Sequence, residues 1–200
     1  PIGIGLAFAS KYKNNGFVCM TYLGDGAVNQ GQVYESFNMS ALWKLPVVFI
    51  IENNKYGMGT SVKRASAGRS LYERGLAYGI PGEEVNGMDV MEVQKVGRKA
   101  LSYSRNGKGP YILEMKTYRY RGHSMSDPAK YRSRSEVDAI REHSDPIENL
   151  KDYLLNNGFK ENDLKNIDSK IKQTITNAAE FAESSPLPDQ EELFTDVFAE

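Results

Sequence analysis

Phe17-Val18-Cys19-Met20-Thr21-Tyr22-Leu23 is an apolar run of strand-forming residues, and Gly24-Asp25-Gly26 closes it. Val47-Val48-Phe49-Ile50-Ile51 is a second such run, closed by Glu52-Asn53-Asn54. The second run is apolar on both faces, as a parallel strand buried beneath helices must be. Between them, positions 30–43 carry Val33, Phe37 and Ala41 at helical spacing, and Pro46 ends that segment. Strand, helix and strand in this order predict a right-handed crossover joining two parallel strands.

The pattern repeats outward from this unit. Positions 2–14 read as a helix stopped by Asn15-Gly16, and 53–67 as a Gly- and Ser-bearing loop. A short strand is expected at 84–86. Asp89 with Glu92 resembles a capping box, and Val90, Val93, Val96 and Ala100 follow at helical spacing until Asn106-Gly107. A third strand is expected over 111–118. Positions 119–134 form a polar, basic loop. Asp145-Pro146-Ile147-Glu148 reads as an N-cap, a first-turn proline and an acidic third position, opening a helix to about Asn157. Leu164, Ile167, Ile171, Ile175, Ala178 and Ala182 then stripe a long helix. The expected architecture is α/β: a parallel sheet flanked by helices over 1–135, with a helical extension, 136–200, packed on the same domain.

Composition narrows the function classes. The chain has 200 residues and a formal net charge of −1, so no overall field draws it to nucleic acid or an anionic membrane. One cysteine, Cys19, leaves no internal disulfide, and no metal-ligand spacing surrounds it. No apolar stretch reaches the length of a membrane span. The opening Pro1-Ile2-Gly3-Ile4-Gly5 enters helical sequence at once and reads as a protein joined part-way along.

The polar residues fall where chemistry is expected. Asp25 and Asn53-Asn54 follow two parallel strands, whose carboxyl ends lie on one edge of the sheet, and ligands of open α/β sheets bind along that edge. Asp25 offers a carboxylate oxygen, Asn54 a neutral carbonyl oxygen, and a main-chain carbonyl near Tyr56 a third. Such hard oxygens suit Mg²⁺, which commonly takes its remaining ligands from phosphates and water. Gly26-Ala27 lets backbone approach an anion, and the helix beginning near Gln30 aims N–H groups at it. Asp-Gly or Asn-Asn alone reads first as a turn. Their joint position at successive strand ends describes a metal-diphosphate site.

Gly24-Asp25-Gly26 with Asn53-Asn54 resembles the thiamine-diphosphate motif. The likeness continues through Ala27-Val28-Asn29-Gln30-Gly31, Ala41-Leu42-Trp43-Lys44-Leu45-Pro46, Lys55-Tyr56-Gly57-Met58-Gly59-Thr60-Ser61 and Tyr118-Arg119-Tyr120-Arg121-Gly122-His123-Ser124-Met125-Ser126-Asp127-Pro128. These runs resemble the α subunits of thiamine-diphosphate-dependent 2-oxo acid dehydrogenases, in particular the pyruvate dehydrogenase E1α family. The resemblance implies the thiamine-diphosphate-binding fold. It implies Mg²⁺ held by Asp25, Asn54 and the Tyr56 carbonyl, with Gly26 and Ala27 on the diphosphate. It implies that His123 contacts the diphosphate and assists acyl transfer. Ser124 and Ser61 match regulatory serines of mitochondrial members; a third, expected between Pro128 and Tyr131, is replaced by Ala129-Lys130. The implied reaction is oxidative decarboxylation of pyruvate, the step after glycolysis, with the acetyl unit passed to lipoamide on the E2 acetyltransferase. The implied partners are an E1β subunit, in an α₂β₂ heterotetramer, and the E2 lipoyl domain. The activating glutamate belongs to the β subunit; Glu35 and Glu52 read as helix-face and strand-end residues. This chain alone is therefore expected to be inactive. The implied location is cytoplasmic in a bacterium and the mitochondrial matrix in a eukaryote, the former preferred.

Three rival readings differ in class or substrate. A branched-chain 2-oxo acid or acetoin dehydrogenase α subunit shares the motif. A non-catalytic nucleotide- or phosphate-binding module lacks its usual signatures here, a P-loop lysine or G-x-G-x-x-G after a strand. An RNA-binding surface on Arg119, Arg121, Arg132 and Arg134 conflicts with the neutral charge and the shortage of stacking aromatics.

Overall fold

The computed structural model describes residues 1–68 and 70–197. In chain order the elements are α1 (Ile2–Lys13), β1 (Cys19–Gly24), α2 (Gly31–Leu42), β2 (Val47–Asn53), β3 (Tyr56–Gly57), β4 (Thr60–Ser61), α3 (Val62–Ala65), β5 (Gly82–Asn86), α4 (Val90–Arg105), β6 (Tyr111–Lys116), α5 (Arg134–Ser144), α6 (Pro146–Asn156) and α7 (Glu161–Ser184). Short 3₁₀ turns lie at Ala27–Asn29, Tyr72–Tyr78 and Gln190–Phe194. The chain divides into two compact units, Pro1–Leu150 and Lys151–Glu200, with the division inside α6.

The main sheet has the order β1-β2-β6-β5, and every pairing in it is parallel. Alternation along β2 sorts its side chains onto two faces. Val47, Phe49 and Ile51 pack with Ile4 and Ala7 of α1 and Val33 and Phe37 of α2. Val48 and Ile50 pack with Leu113 and Met115 of β6, Val85 of β5 and Ala100 of α4. Helices thus cover both faces, which explains why β2 reads as apolar throughout. Phe37 is fully buried and meets Phe49 edge-on with ring centroids 4.8 Å apart. Burying one such ring contributes about 1.5–3 kcal/mol.

The terminators are those the sequence announces, with small shifts. α1 ends at Asn14, whose φ of 49° is left-handed and whose N–H bonds back to the Lys11 carbonyl. The first strand starts at Cys19 rather than Phe17, because the Ser10 hydroxyl donates to the Phe17 carbonyl at 2.8 Å and holds that residue to the helix end. Asp89 caps α4 through the N–H groups of Met91 and Glu92. The capping box is displaced: Glu92 accepts from the Asn86 N–H at 3.0 Å. The segment 53–67 is not only loop but contains the β3–β4 ribbon and α3. α5 opens the expected helical extension two residues early, at Arg134, and the Tyr72–Tyr78 turn has no counterpart in the sequence pattern.

In the second unit, α7 begins where the Lys160 N–H donates to the Asp163 carboxylate at 3.2 Å, and its span matches the apolar stripe. The last three positions of the expected extension lie outside the described residues. Among the described residues, no helix is long and apolar enough to cross a membrane.

Candidate metal-diphosphate site

β1 and β2 pair in register through Leu23↔Ile51 and Gly24↔Glu52, so their carboxyl ends stand side by side. Asp25 follows directly and is 3% exposed. On leaving β2 the chain turns through two successive Asx turns. The Lys55 N–H donates to Asn53 Oδ1 at 3.1 Å, and the Tyr56 N–H to Asn54 Oδ1 at 3.2 Å. Lys55 takes a φ of 74° to make the bend. The bend brings Gly57 onto Gly26: a β-carbon on Gly57 would lie 3.5 Å from the Gly26 Cα and 3.9 Å from Asp25 Oδ2. The Asp25 carboxylate therefore lies against the turn that carries Asn54 and Tyr56.

Burial pushes the Asp25 carboxyl above its ordinary value, although main-chain N–H groups of Asp25 and Asn54 and the charge of Arg119 pull the other way. Among the described residues Asp25 forms no ion pair. A buried carboxylate without a cation is costly, and a bound metal ion removes that cost. Nor do the described residues hold a cluster of three or more His, Cys, Asp or Glu side chains suited to a metal. A site here must use one carboxylate and neutral oxygens. Asn54 Oδ1 keeps a second lone pair beside its bond to Tyr56. This donor set fits Mg²⁺ completed by phosphate and water. Gly26 and Ala27 are exposed and lead into the Ala27–Asn29 turn, whose first N–H groups lack intrahelical partners.

The loop 119–134 packs on the ribbon that follows β2. The Arg119 guanidinium donates to the Met58 carbonyl and, at 2.8 Å, to the Tyr131 hydroxyl. Tyr131 donates in turn to Asp127 at 2.8 Å. Asp127 also accepts from the N–H groups of His123 at 2.7 Å and Ala129 at 2.8 Å, and these bonds hold its carboxyl below the ordinary range. Arg132 donates to the carbonyls of Arg119 and Arg121. Tyr118 donates to Glu136 of α5 at 2.9 Å, and Tyr120 to Asp145 at 3.0 Å. The loop is short of apolar residues, but it carries its own anion, Asp127, and is well tied.

His123 is exposed on this loop, fixed through its main-chain N–H; its imidazole makes none of the hydrogen bonds among the described residues. The structure thus gathers Asp25, Gly26, Asn54 and Tyr56, and among the described residues the His123 side chain makes no hydrogen bond to them. Ser124 is exposed, its hydroxyl 3.0 Å from that of Ser126. Ser61 ends β4 just before α3. His143 is exposed, beside Glu142 at 4.0 Å, as a bystander would be.

Two supporting residues escape sequence reasoning. Arg74 donates to the Val28 carbonyl, Asn29 Oδ1 and the Tyr34 hydroxyl at 3.2, 2.8 and 2.9 Å, pinning the turn after Asp25. Glu114 is fully buried in β6. It accepts from Asn53 Nδ2 at 2.7 Å, Lys116 Nζ at 2.6 Å and the N–H groups of Leu71 and Tyr72 at 2.6 and 3.1 Å. Its signal was available: a lone acid inside Tyr111-Ile112-Leu113-Glu114-Met115, an otherwise apolar strand.

Residues 1–191 match the family described as Dehydrogenase E1 component. A protein of Zymomonas mobilis named pyruvate dehydrogenase E1 component subunit alpha is 57% identical over 197 residues, which cover 98% of this chain and 56% of the relative. The Rhizobium meliloti protein of the same name is 56% identical, covering 98% and 57%. The mitochondrial one of Dictyostelium discoideum is 52% identical over 200 residues, covering 99% and 52%. The chain thus spans little more than half the length of these three relatives.

Proposed function

The chain belongs to the dehydrogenase E1 component family, and from that premise we propose that it is the metal-diphosphate-binding part of a pyruvate dehydrogenase E1 α subunit. The observation that carries this is the placement of a buried Asp25, without an ion pair among the described residues, against the turn bearing Asn54 and Tyr56, at the carboxyl edge of a parallel sheet. Asp25, Asn54 and the Tyr56 carbonyl hold Mg²⁺. Gly26 and Ala27 present backbone to the diphosphate. Bound thiamine diphosphate supplies the electron sink for decarboxylation of the 2-oxo acid.

The chain's own residues bind and orient. Asp25 supplies the one negative charge, leaving a net positive metal to neutralise the diphosphate. Arg119, already tied to the ribbon through Met58, adds positive charge near Asp25. His123, on a loop held by Asp127, would donate to an anion or move a proton at its imidazole. Ser124 and Ser61 are the candidate regulatory positions, since a phosphate beside the diphosphate adds like charge. The E1β subunit supplies the activating carboxylate in an α₂β₂ assembly, and E2 lipoamide accepts the acetyl unit. A bacterial protein of this kind works in the cytoplasm, a eukaryotic one in the mitochondrial matrix.

The full-length α subunit, mixed with its β subunit, is assayed on a panel of 2-oxo acids. Pyruvate is expected to be decarboxylated fastest, and only by the mixture. A branched-chain substrate favoured over pyruvate would contradict the assignment, and so would α alone working at the rate of the mixture.

A further inference from the structure

Glu114 lies outside the metal-diphosphate site, yet it touches the supports of both strand ends that form it. We infer that Glu114 is a positioning residue that sets the geometry of the proposed Mg²⁺ site through Asn53. The inference rests on the functional reading above.

A fully buried carboxylate in a parallel strand needs a reason. Four donors converge on it: the Asn53 amide, the Lys116 ammonium and two main-chain N–H groups, those of Leu71 and Tyr72. Lys116 also bridges to Glu84 across the β5–β6 pair at 3.2 Å, and Ser70 donates to Glu84 at 2.7 Å. The charge is thus compensated, and each carboxylate oxygen is spoken for.

Its effect on the site runs along two short chains of contacts. In the first, the Asn53 amide nitrogen must face the carboxylate, because its oxygen would be repelled there. That choice turns Asn53 Oδ1 toward the Lys55 N–H, 3.1 Å away. The bond fixes the left-handed bend at Lys55, next to Asn54 and Tyr56, and beyond the bend Gly57 lies against Gly26 and Asp25. In the second, the other carboxylate oxygen holds Leu71 and Tyr72, at the head of the turn that carries Arg74. Arg74 in turn grips Val28 and Asn29, just after Asp25. One carboxylate therefore braces the exits of both β1 and β2.

A role in stability alone makes a different prediction from a role in positioning. Glutamine matches glutamate in size, but its NH₂ must face either Asn53 and Lys116 or the two main-chain N–H groups. In either pose a donor meets donors. The bend at Lys55 loosens, and Asn54 no longer waits in place for the metal.

The test uses the full-length α subunit assembled with its partner. Thiamine diphosphate is titrated calorimetrically in the presence of Mg²⁺, and Tm is recorded without either. Glu114→Gln is expected to raise Kd by about tenfold or more, equal to about 1.4 kcal/mol. Asn53→Ala is expected to raise it comparably. The double variant is expected to fall well short of the product of the two effects, since both act through one bond. A lower Tm with unchanged Kd in Glu114→Gln, or strictly multiplicative effects, overturns the inference while leaving the functional reading intact. An unsubstituted protein that binds thiamine diphosphate no better with Mg²⁺ overturns both. Should Glu114→Gln fail to fold, Asn53→Ala decides by itself: an unchanged Kd overturns the positioning role.

Discussion

The ring of Tyr131 stands 4.9 Å from that of Tyr56, tying the loop after β6 to the ribbon after β2. The hydroxyl of Tyr131 joins the same tie from the other side, accepting from Arg119 and donating to Asp127. The loop that bears His123 is thereby seated on the ribbon that follows Asn54.

The order of that loop is accordingly expected to come from Asp127. Sequence composition suggests a segment that only a bound diphosphate can order, since arginines crowd it. The structure supplies an internal carboxylate in place of the diphosphate. Limited trypsinolysis of the full-length protein is expected to cut slowly within 119–134 even without Mg²⁺ and thiamine diphosphate. Asp127→Ala is expected to speed cleavage there by about tenfold, local opening being the step removed from protection. Rapid cleavage of the unsubstituted protein, suppressed only by cofactor, would show that the internal ties are too weak to matter.

Replacing Asp25 by Asn should separate stability from binding. The folded carboxyl titrates above its ordinary 3.8, because burial outweighs the bonds that favour its charge. The folded state then holds its proton more tightly than the unfolded state, so this group's contribution falls as pH rises through the folded value. Above the folded value the ionised carboxylate is a net cost. Asp25→Asn is expected to raise the Tm of the metal-free protein at pH 7 while abolishing Mg²⁺-dependent binding. A lower Tm in metal-free buffer would mean that the carboxylate is already compensated.

At the alkaline end the sensitive contact is Tyr118 with Glu136. Burial, reinforced by the neighbouring carboxylate, pushes the phenol from 10.0 up to about 12. Between those values the folded state keeps a proton that the unfolded state gives up. Stability from this group is complete below pH 10.0 and is lost as pH approaches about 12. Tyr118→Phe is expected to cost about 1 kcal/mol at pH 8, the net value of one hydrogen bond. It should also flatten the fall in denaturant midpoint above pH 10.0. An equally steep fall in the variant would locate the alkaline weakness elsewhere.

Much of the fold was legible because its signals are local. The apolar run of β2, the helix stop read at Asn15-Gly16 and found one residue earlier, the Asp89 cap and the crossover logic each depend on a few neighbouring residues. The nearness of Asp25 to the turn that bears Asn54 was legible for a different reason: parallel topology fixes where strand ends go. What escaped is long-range. Glu114 reads as one acid in an apolar strand, and its meaning appears only when Asn53, Leu71 and Lys116 converge on it. Asp127 reads as part of a polar loop until its partners His123, Ala129 and Tyr131 are placed around it. α5 carries no clean apolar stripe and is anchored instead by the Tyr118–Glu136 bond and, at its end, by Tyr120 on Asp145.

The central claim is that Asp25 and Asn54 jointly hold a metal that carries thiamine diphosphate. It is tested most directly by calorimetric titration of thiamine diphosphate into the full-length α subunit assembled with its β subunit, with Mg²⁺ and with a chelator. Binding is expected to require Mg²⁺ and to be lost in Asp25→Ala and in Asn54→Ala, with the far-ultraviolet circular dichroism of both variants unchanged. Equal affinity with and without Mg²⁺, or undiminished affinity in the well-folded Asp25→Ala protein, would contradict it.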